Sequence, residues 1–505
     1  MLSTLARDLR YALRGLRRTP IFAVTALVTL ALGIGATTAA FSLFYGLFLR
    51  PLPYADGDQL MRLYLTNSGM PGRSANDRFP WSYPKYEAAR EALGVDAPAV
   101  EESGTGSTFS HLAPYSFTDL TLTGEGRAER VAGELIGADY LATLGVEPAI
   151  GRGFEAADDA RPGGRAVALL GHELWQRRFA GDAAVLGQTI EINLASFQVV
   201  GVLPQGFRGL SSGGGEGAEI WLPFVAGAEA TFPGSLDEAW GHWFDVVARR
   251  APGVGEAAAV ERMRAAGDAV SAAYPSPMSN GSTWGGTAAS LAEAGRDPGM
   301  RNTLGLLLAG VGCVLLIACV NLANLMLARA AGRRREVAVR RALGAGGTDL
   351  VRLALTESLL LSCAGAAAGV GTAFLALKLL QNAGGPVLRQ AAASVTLDAT
   401  VLAFAAALAL GTGFLFGLAP AIHGLSGKLT AALRDGTAGS GGGRGGAALA
   451  RQVLVAAQVA LAVVLLAAAG LLLKSFLELN AVDPGYETDG VLAFSLDPPD
   501  VAAAL

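Results

Sequence analysis

Cysteine, histidine and charge are all scarce in this sequence, and each scarcity closes off a class of function. The 505 residues include three cysteines, Cys313, Cys319 and Cys363, all inside long apolar runs, so no disulfide framework can support the polar part of the chain. Four histidines (His111, His172, His242 and His423) are scattered with neither an H-E-x-x-H nor a Cys/His spacing, which argues against a metal centre. The chain has no G-x-x-x-x-G-K-[ST]. Its nearest glycine cluster, Gly344-Ala345-Gly346-Gly347-Thr348, lacks the lysine that reaches β- and γ-phosphates. No ATP site, cofactor or catalytic residue is therefore expected in this chain.

What is abundant is apolar sequence. With 51% hydrophobic and 16% charged residues and a mean hydropathy of +0.40, the composition is that of a membrane protein. A helix needs about 20 apolar residues to cross a hydrocarbon core, and five runs qualify: Ile21–Phe48, Leu304–Ala328, Leu353–Leu380, Val401–Ile422 and Val453–Leu473. The first run follows a basic arm but is longer than the roughly 7–15 apolar residues of a signal peptide and ends at Arg50, so it is expected to be an uncleaved anchor. Lys and Arg crowd into the N-terminal arm, Arg329–Arg352 and Lys428–Arg451. The positive-inside rule places these three segments in the cytoplasm and the stretches 50–300 and 383–398 outside.

Residues 3–18 space Leu5, Leu9, Leu13 and Leu16 as one helical face with arginines opposite. The segment reads either as an amphipathic helix on an anionic lipid surface or as a basic arm that only sets topology. From 54 to 300, short β-like runs (LMRLYL, AVALL, TIEINLASFQVVGVL, FDVVARR) alternate with a helical one (AVERMRAAGDAVSAAY) and with Gly/Pro turns, which predicts a mixed α+β domain. Ser211–Gly217 reads as a flexible loop, and the Gly/Ser-rich residues 426–451 read as a tether between the fourth and fifth apolar runs. Glu357 and Lys378 are the ionisable residues within the apolar runs, and both are expected to snorkel to the interface. Gly365-x-x-x-Gly369 and Gly413-x-x-x-Gly417 offer small-residue faces for close helix packing.

The most informative stretch is NLANLMLARAAGRRREVAVRRALGAGGTD (321–349), an apolar run that passes into a strongly basic amphipathic segment. Val337, Val339 and Leu343 can share one side while Arg333, Arg334, Arg335, Arg340 and Arg341 face water or a partner. The arginines fit two roles equally well, a contact surface that passes force to a soluble partner or plain positive-inside placement.

This stretch, continued through LVRLALTESLLL, resembles the core of an FtsX-like permease domain, the membrane part of MacB-type ABC transporters. RTPIFAVTALVTLALGIGATTAAFSLFYGLFLRPLPY resembles the first membrane helix of that class. VAGELIGADYLATLGVEPAIGRGF and VALLGHELWQRRFAGDAAVLGQTIEINLASFQVVGVLPQGF resemble a MacB-like periplasmic core domain. The fifth run with its sequel looks like the start of a second copy, as in the duplicated acidobacterial-type orphan permeases, so the resemblance implies a chain cut after its first repeat.

The resemblance implies a membrane α-helical protein of about five transmembrane helices plus a mixed α+β periplasmic core domain. Its expected parts are a cytoplasmic amphipathic arm (1–20), helix 1 (21–49), the periplasmic core domain (50–302), a permease domain (303–425, coupling region 329–350), a linker (426–451), helix 5 (452–475) and the start of a second periplasmic domain (476–505). By this resemblance Arg333, Arg334, Arg335, Glu336, Val337, Arg340, Arg341, Leu343 and Gly344 touch a separate ABC ATPase, which binds the ATP. The implied location is the bacterial inner membrane. The implied partners are that ATPase, membrane lipid, a periplasmic adaptor and a second copy or pseudo-repeat, with no nucleic acid. The implied function is export driven by mechanotransmission, with regulation of a cell-wall hydrolase or release of lipoproteins as alternatives.

The topology can be tested directly. In a chain whose native cysteines are replaced, cysteines at Ser211 and Thr303 should react with impermeant thiol reagents from outside, and one at Gly347 should not. Labelling of position 347 from the periplasm would reverse the assignment.

Overall fold

The computed structural model describes residues 2–68, 78–95, 107–123, 128–161, 164–210, 217–275, 282–294, 298–332, 347–383, 398–425 and 445–480. Contacts separate the chain into two units, one of Met1–Leu49 with the helices from Pro298 onward and one of Arg50–Asp297. The chain opens with α1 (Leu2–Arg17) and α2 (Pro20–Phe44), the latter closed by a π-helical turn, Tyr45–Leu49. Pro20 starts α2 at the position where its missing N–H costs nothing.

Among its described residues the intervening unit holds ten strands and six α-helices. In chain order they are β1 (Leu60–Ser68), α3 (Tyr83–Leu93), β2 (Phe109–Thr123), β3 (Glu129–Ile136), α4 (Tyr140–Leu144), β4 (Ile150–Gly151), β5 (Val167–Leu170) and α5 (His172–Phe179). Then come β6 (Thr189–Ile192), β7 (Ala195–Val202), β8 (Ile220–Pro223), α6 (Phe224–Thr231), β9 (Asp245–Arg250), α7 (Glu256–Ala273), β10 (Thr283–Ser290) and α8 (Leu291–Ala294). The strands form one sheet ordered β10-β1-β9-β2-β3-β8-β5-β7-β4, with β6 bridging β2 and β7. Pairing is mostly antiparallel, but β3–β8 and β5–β7 are parallel. Alternate residues feed two cores, one on each face: Met61, Leu63, Leu65, Val246 and Ala248 enter one, Leu60 and Val247 the other. The expected mixed α+β unit is thus present, built without a cysteine.

The other unit adds four long helices, α9 (Pro298–Gly332), α10 (Gly347–Ala383), α11 (Ala399–Leu425) and α12 (Gly445–Asn480). Among the described residues five spans are long and apolar enough to cross a membrane: Pro20–Leu49, Arg301–Met326, Val351–Asn382, Ala399–Gly417 and Val455–Ser475. They coincide with the five apolar runs of the sequence.

Helix α10 packs between α2 and α11, and glycine makes both contacts possible. A Cβ on Gly369 would lie 3.1 Å from the Gly35 nitrogen and 3.2 Å from the Ala31 carbonyl oxygen, and one on Gly365 would lie 2.6 Å from Leu30 Cβ. Against α11, a Cβ on Gly413 would meet Ser362 Oγ at 2.6 Å and one on Gly417 would meet Ser358 Cβ at 3.0 Å. Hydroxyls use this proximity: Thr372 Oγ1 donates to the Ala31 carbonyl (3.2 Å) and Ser362 Oγ to the Ala409 carbonyl (2.7 Å). Both small-residue motifs are packing faces, as expected. Helix α12 lies against α9, where Gln458 Nε2 donates to Asn321 Oδ1 at 2.9 Å.

A matched pair of substitutions tests the seam. Gly35→Val forces a side chain onto Thr372 and the Gly369 backbone and should destabilise the helical unit by about 1–3 kcal/mol. Gly371→Ala, whose Cβ meets nothing within 4 Å, should be neutral or slightly stabilising. Thermal aggregation of the detergent-solubilised chain reads both, and equal midpoints for the two variants would remove the seam from the account.

Candidate functional site

At the end of the helical bundle where α1 lies, the helices on either side of residues 333–346 are joined by charge. Arg329, in the last turn of α9, places Nη1 2.6 Å from Glu357 Oε1 on α10, and both side chains are largely buried. Its Nη2 donates to the Gly15 carbonyl of α1 at 2.9 Å, and its guanidinium lies over the Phe22 ring, 4.7 Å from the centroid. Arg352, in the second turn of α10, bonds through Nε to Asp8 Oδ2 of α1 at 2.7 Å. Three helices, α1, α9 and α10, are thereby linked pairwise.

This arrangement changes two expectations. Glu357 does not snorkel: it faces inward to Arg329, because a carboxylate in an apolar helix is better held by a nearby cation than by a distant interface. Lys378 is exposed, with Nζ above Phe374 of its own helix (4.9 Å). Helix α1 divides its apolar stripe in two. Asp8, Ala12 and Leu16 are buried against the bundle, while Leu9 and Leu13 remain 46% and 43% exposed beside the outward arginines Arg7, Arg10, Arg14 and Arg17.

The nine residues singled out by the sequence as an ATPase contact, Arg333 to Gly344, lie outside the described residues. The structure describes what brackets them. Sequence reasoning counted Arg329 and Arg352 only as topology signals and passed over Asp8. The available signal was that Asp8 is the one acid in an arm otherwise carrying Arg7, Arg10, Arg14, Arg17 and Arg18.

The 50–297 unit holds two buried polar clusters. Glu134 on β3, fully buried, accepts from Trp221 Nε1 (2.8 Å), Tyr140 Oη (3.1 Å) and the Leu210 backbone N–H (3.2 Å). Its carboxylate occupies the place a side chain at Gly209 would take, so the loop closes over it only with glycine there. On α3, fully buried Lys85 points Nζ at the rings of Trp284 (3.8 Å) and Trp240 (4.1 Å) and at His242 Nε2 (3.1 Å). Burial pushes the Lys85 amine down to about 8. Burial, then the neighbouring Lys85 charge, push His242 down to about 4. An ammonium can only donate, so Nε2 of His242 accepts and its proton sits on Nδ1. Among the described residues no group of three or more His, Cys, Asp or Glu side chains could hold a metal.

Two family models match this chain, the MacB-like periplasmic core domain over residues 23–266 and the FtsX-like permease C-terminal domain over 308–428. The chain thus carries a MacB-like periplasmic core domain and an FtsX-like permease C-terminal domain. Curated relatives include the pyoverdine export ATP-binding/permease protein PvdT of Pseudomonas syringae pv. tomato, 31% identical over 276 residues covering 53% of this chain and 37% of that protein. PvdT of Pseudomonas fluorescens is also 31% identical, over 270 residues with the same two coverages. The chain thus spans less than two fifths of the length of these relatives. Among solved structures, the periplasmic region of MacB from Actinobacillus actinomycetemcomitans is 14% identical and matches 45% of this chain and 88% of that one with a TM-score of 0.30. The extracellular domain of the noncanonic ABC-type transporter YknZ from Gram-positive bacteria is 12% identical, with coverages of 45% and 98% and a TM-score of 0.31.

Within the 50–297 unit, the LWQRRF signature lies on α5 and its arginines hold strand ends together. Arg177 reaches Glu219 and Glu129 (both 2.8 Å), and Arg178 reaches Glu129 (3.2 Å).

The Lys85 cluster predicts acid sensitivity. The unfolded His242 ring takes a proton near 6.5 and the folded one only near 4. Between these values the unfolded state binds more protons, so stability falls as pH drops from about 6.5 to 4, by about 1–2 kcal/mol after allowance for partial exposure. His242→Gln keeps an acceptor for Lys85 and should flatten this part of the profile, as read by tryptophan-monitored urea unfolding of residues 50–297 at pH 4.5 and 7. A variant whose profile parallels the wild type would show that the sensitivity originates elsewhere.

Proposed function

We propose that this chain is the permease subunit of an ABC-type export system in the bacterial inner membrane, powered by a separate ATPase that docks on residues 331–347. The observation that carries this reading is the pairing of an FtsX-like permease domain with a MacB-like periplasmic core domain in one chain. The curated relatives are named as export ATP-binding/permease proteins, and the phosphate-binding loop such a system needs is absent from these 505 residues. ATP binding closes the partner ATPase, the 331–347 segment shifts, and the helices carry that shift to the periplasmic domain, which moves the cargo. Conduction through the helices is not required. Pyoverdine belongs to the relatives' names. For this chain the proposal is export as a class of activity, with a periplasmic adaptor and a second copy or pseudo-repeat completing the assembly.

Conservative substitutions separate a docking surface from a topology signal. Positive-inside placement counts lysine and arginine alike, so Arg340→Lys with Arg341→Lys should leave insertion intact. Lysine cannot reproduce the paired donors of a guanidinium at an interface, a difference of about 1–3 kcal/mol, so co-purification with the ATPase should weaken by about fivefold or more. Val337→Asp should abolish it. Undiminished co-purification of both variants would reduce the segment to a topology determinant.

A further inference from the structure

Residues 333–346 join α9 directly to α10, but helix α2, which leads into the 50–297 unit, has no such covalent link to the segment. The structure supplies a non-covalent one. Arg329 at one edge of the segment and Arg352 at the other both reach back to α1, through the Gly15 carbonyl (2.9 Å) and Asp8 (2.7 Å). Helix α1 passes into α2 through Arg18 and Thr19, with the Arg18 and Thr19 N–H groups still bonded to Arg14 and Leu16 carbonyls. Glu357 holds Arg329 from the opposite side at 2.6 Å and so aims its guanidinium at Gly15 and Phe22. Side-chain exposures of 12% for Arg329 and 13% for Glu357 mean that water does little to screen that pair, while Asp8, at 12%, meets an Arg352 that is 42% exposed and so partly open to water.

We propose that Asp8 and Glu357 are positioning residues that yoke α1, α9 and α10 into one plate, so that a displacement of 333–346 reaches α2 as well as α9. The two helices that enter and leave the 50–297 unit then share one cytoplasmic anchor. The inference rests on the docking reading above, and it adds something that reading does not need, a route to α2. A basic arm that merely set topology would carry neither a buried aspartate nor a capped arginine, because the positive-inside rule gives acidic residues almost no weight.

The test uses the intact tagged chain with Cys313, Cys319 and Cys363 replaced, together with whichever ATPase the wild-type chain captures from solubilised native membranes. Single labels go on Leu49→Cys, beyond α2, and Asn302→Cys, at the start of α9, both exposed positions. In the wild type, trapping with ATP and vanadate should change both signals. Asp8→Arg should abolish the change at 49 and keep the one at 302. Adding Arg352→Asp should restore the change at 49, and Asp8→Glu should never lose it. A change at 49 that survives Asp8→Arg, or that the charge exchange fails to restore, overturns the yoke. Loss of both signals together with ATPase capture would make Asp8 part of the docking face and also overturns it. Failure of the wild-type chain to capture an ATPase, or to change at either label, brings down the docking reading and this inference with it.

Discussion

Backbone-to-backbone approach of α2 and α10 is the constraint on which the helical unit depends. In a bilayer, lipid tails are as apolar as leucine, so helices gain little by merely hiding hydrophobic side chains from their surroundings. They gain by fitting closely, and closeness is limited by side chains. Gly35 and Gly369 remove that limit at one crossing, and Gly413 and Gly417 remove it at the next. With the backbones this close, Thr372 and Ser362 reach carbonyls on the neighbouring helices. The ion pairs of Asp8 with Arg352 and Arg329 with Glu357 add charged ties from α10 to α1 and α9.

The unit between Arg50 and Asp297 solves a different problem by different means. It has water around it and no disulfides, so it relies on two apolar cores flanking a ten-stranded sheet. Its buried charges are each surrounded by suitable partners. Glu134 has donors from a tryptophan, a tyrosine and a backbone N–H, while Lys85 has aromatic faces and a neutral imidazole. Leaving such a group without partners would cost its full desolvation penalty.

Much of this was legible in the sequence, for reasons that differ by feature. Five apolar runs read directly as five helices, because crossing a membrane demands both length and composition. The strand-like runs LMRLYL and TIEINLASFQVVGVL became β1, β6 and β7 because alternation survives folding. The paired glycines announced close contacts but not their partners. Asp8 and Arg352 stand 344 residues apart, and Lys85 and His242 stand 157 apart, so no local pattern could join them. Glu357 was misjudged for the same reason, since the cation that draws it inward lies on another helix. The basic segment's chemistry was plain in its arginines, yet its neighbours Arg329 and Arg352 hold the contacts the structure describes.

The seam between α2 and α10 also sets a schedule for making the protein. Thr372 and the Ala31 carbonyl it bonds are separated by 341 residues. At about 5–20 residues per second, α2 waits roughly 20–70 s after synthesis before its partner exists. Through that interval its hydroxyls must survive in lipid unaided, and three of them bond their own helix: Thr29 to the Thr25 carbonyl at 2.8 Å, Thr37 to the Gly33 carbonyl at 2.8 Å and Ser42 to the Thr38 carbonyl at 2.7 Å. A solitary α2 thus keeps these hydroxyls paired before its partner helices exist, and a newborn chain stalled at this stage need not be a damaged one.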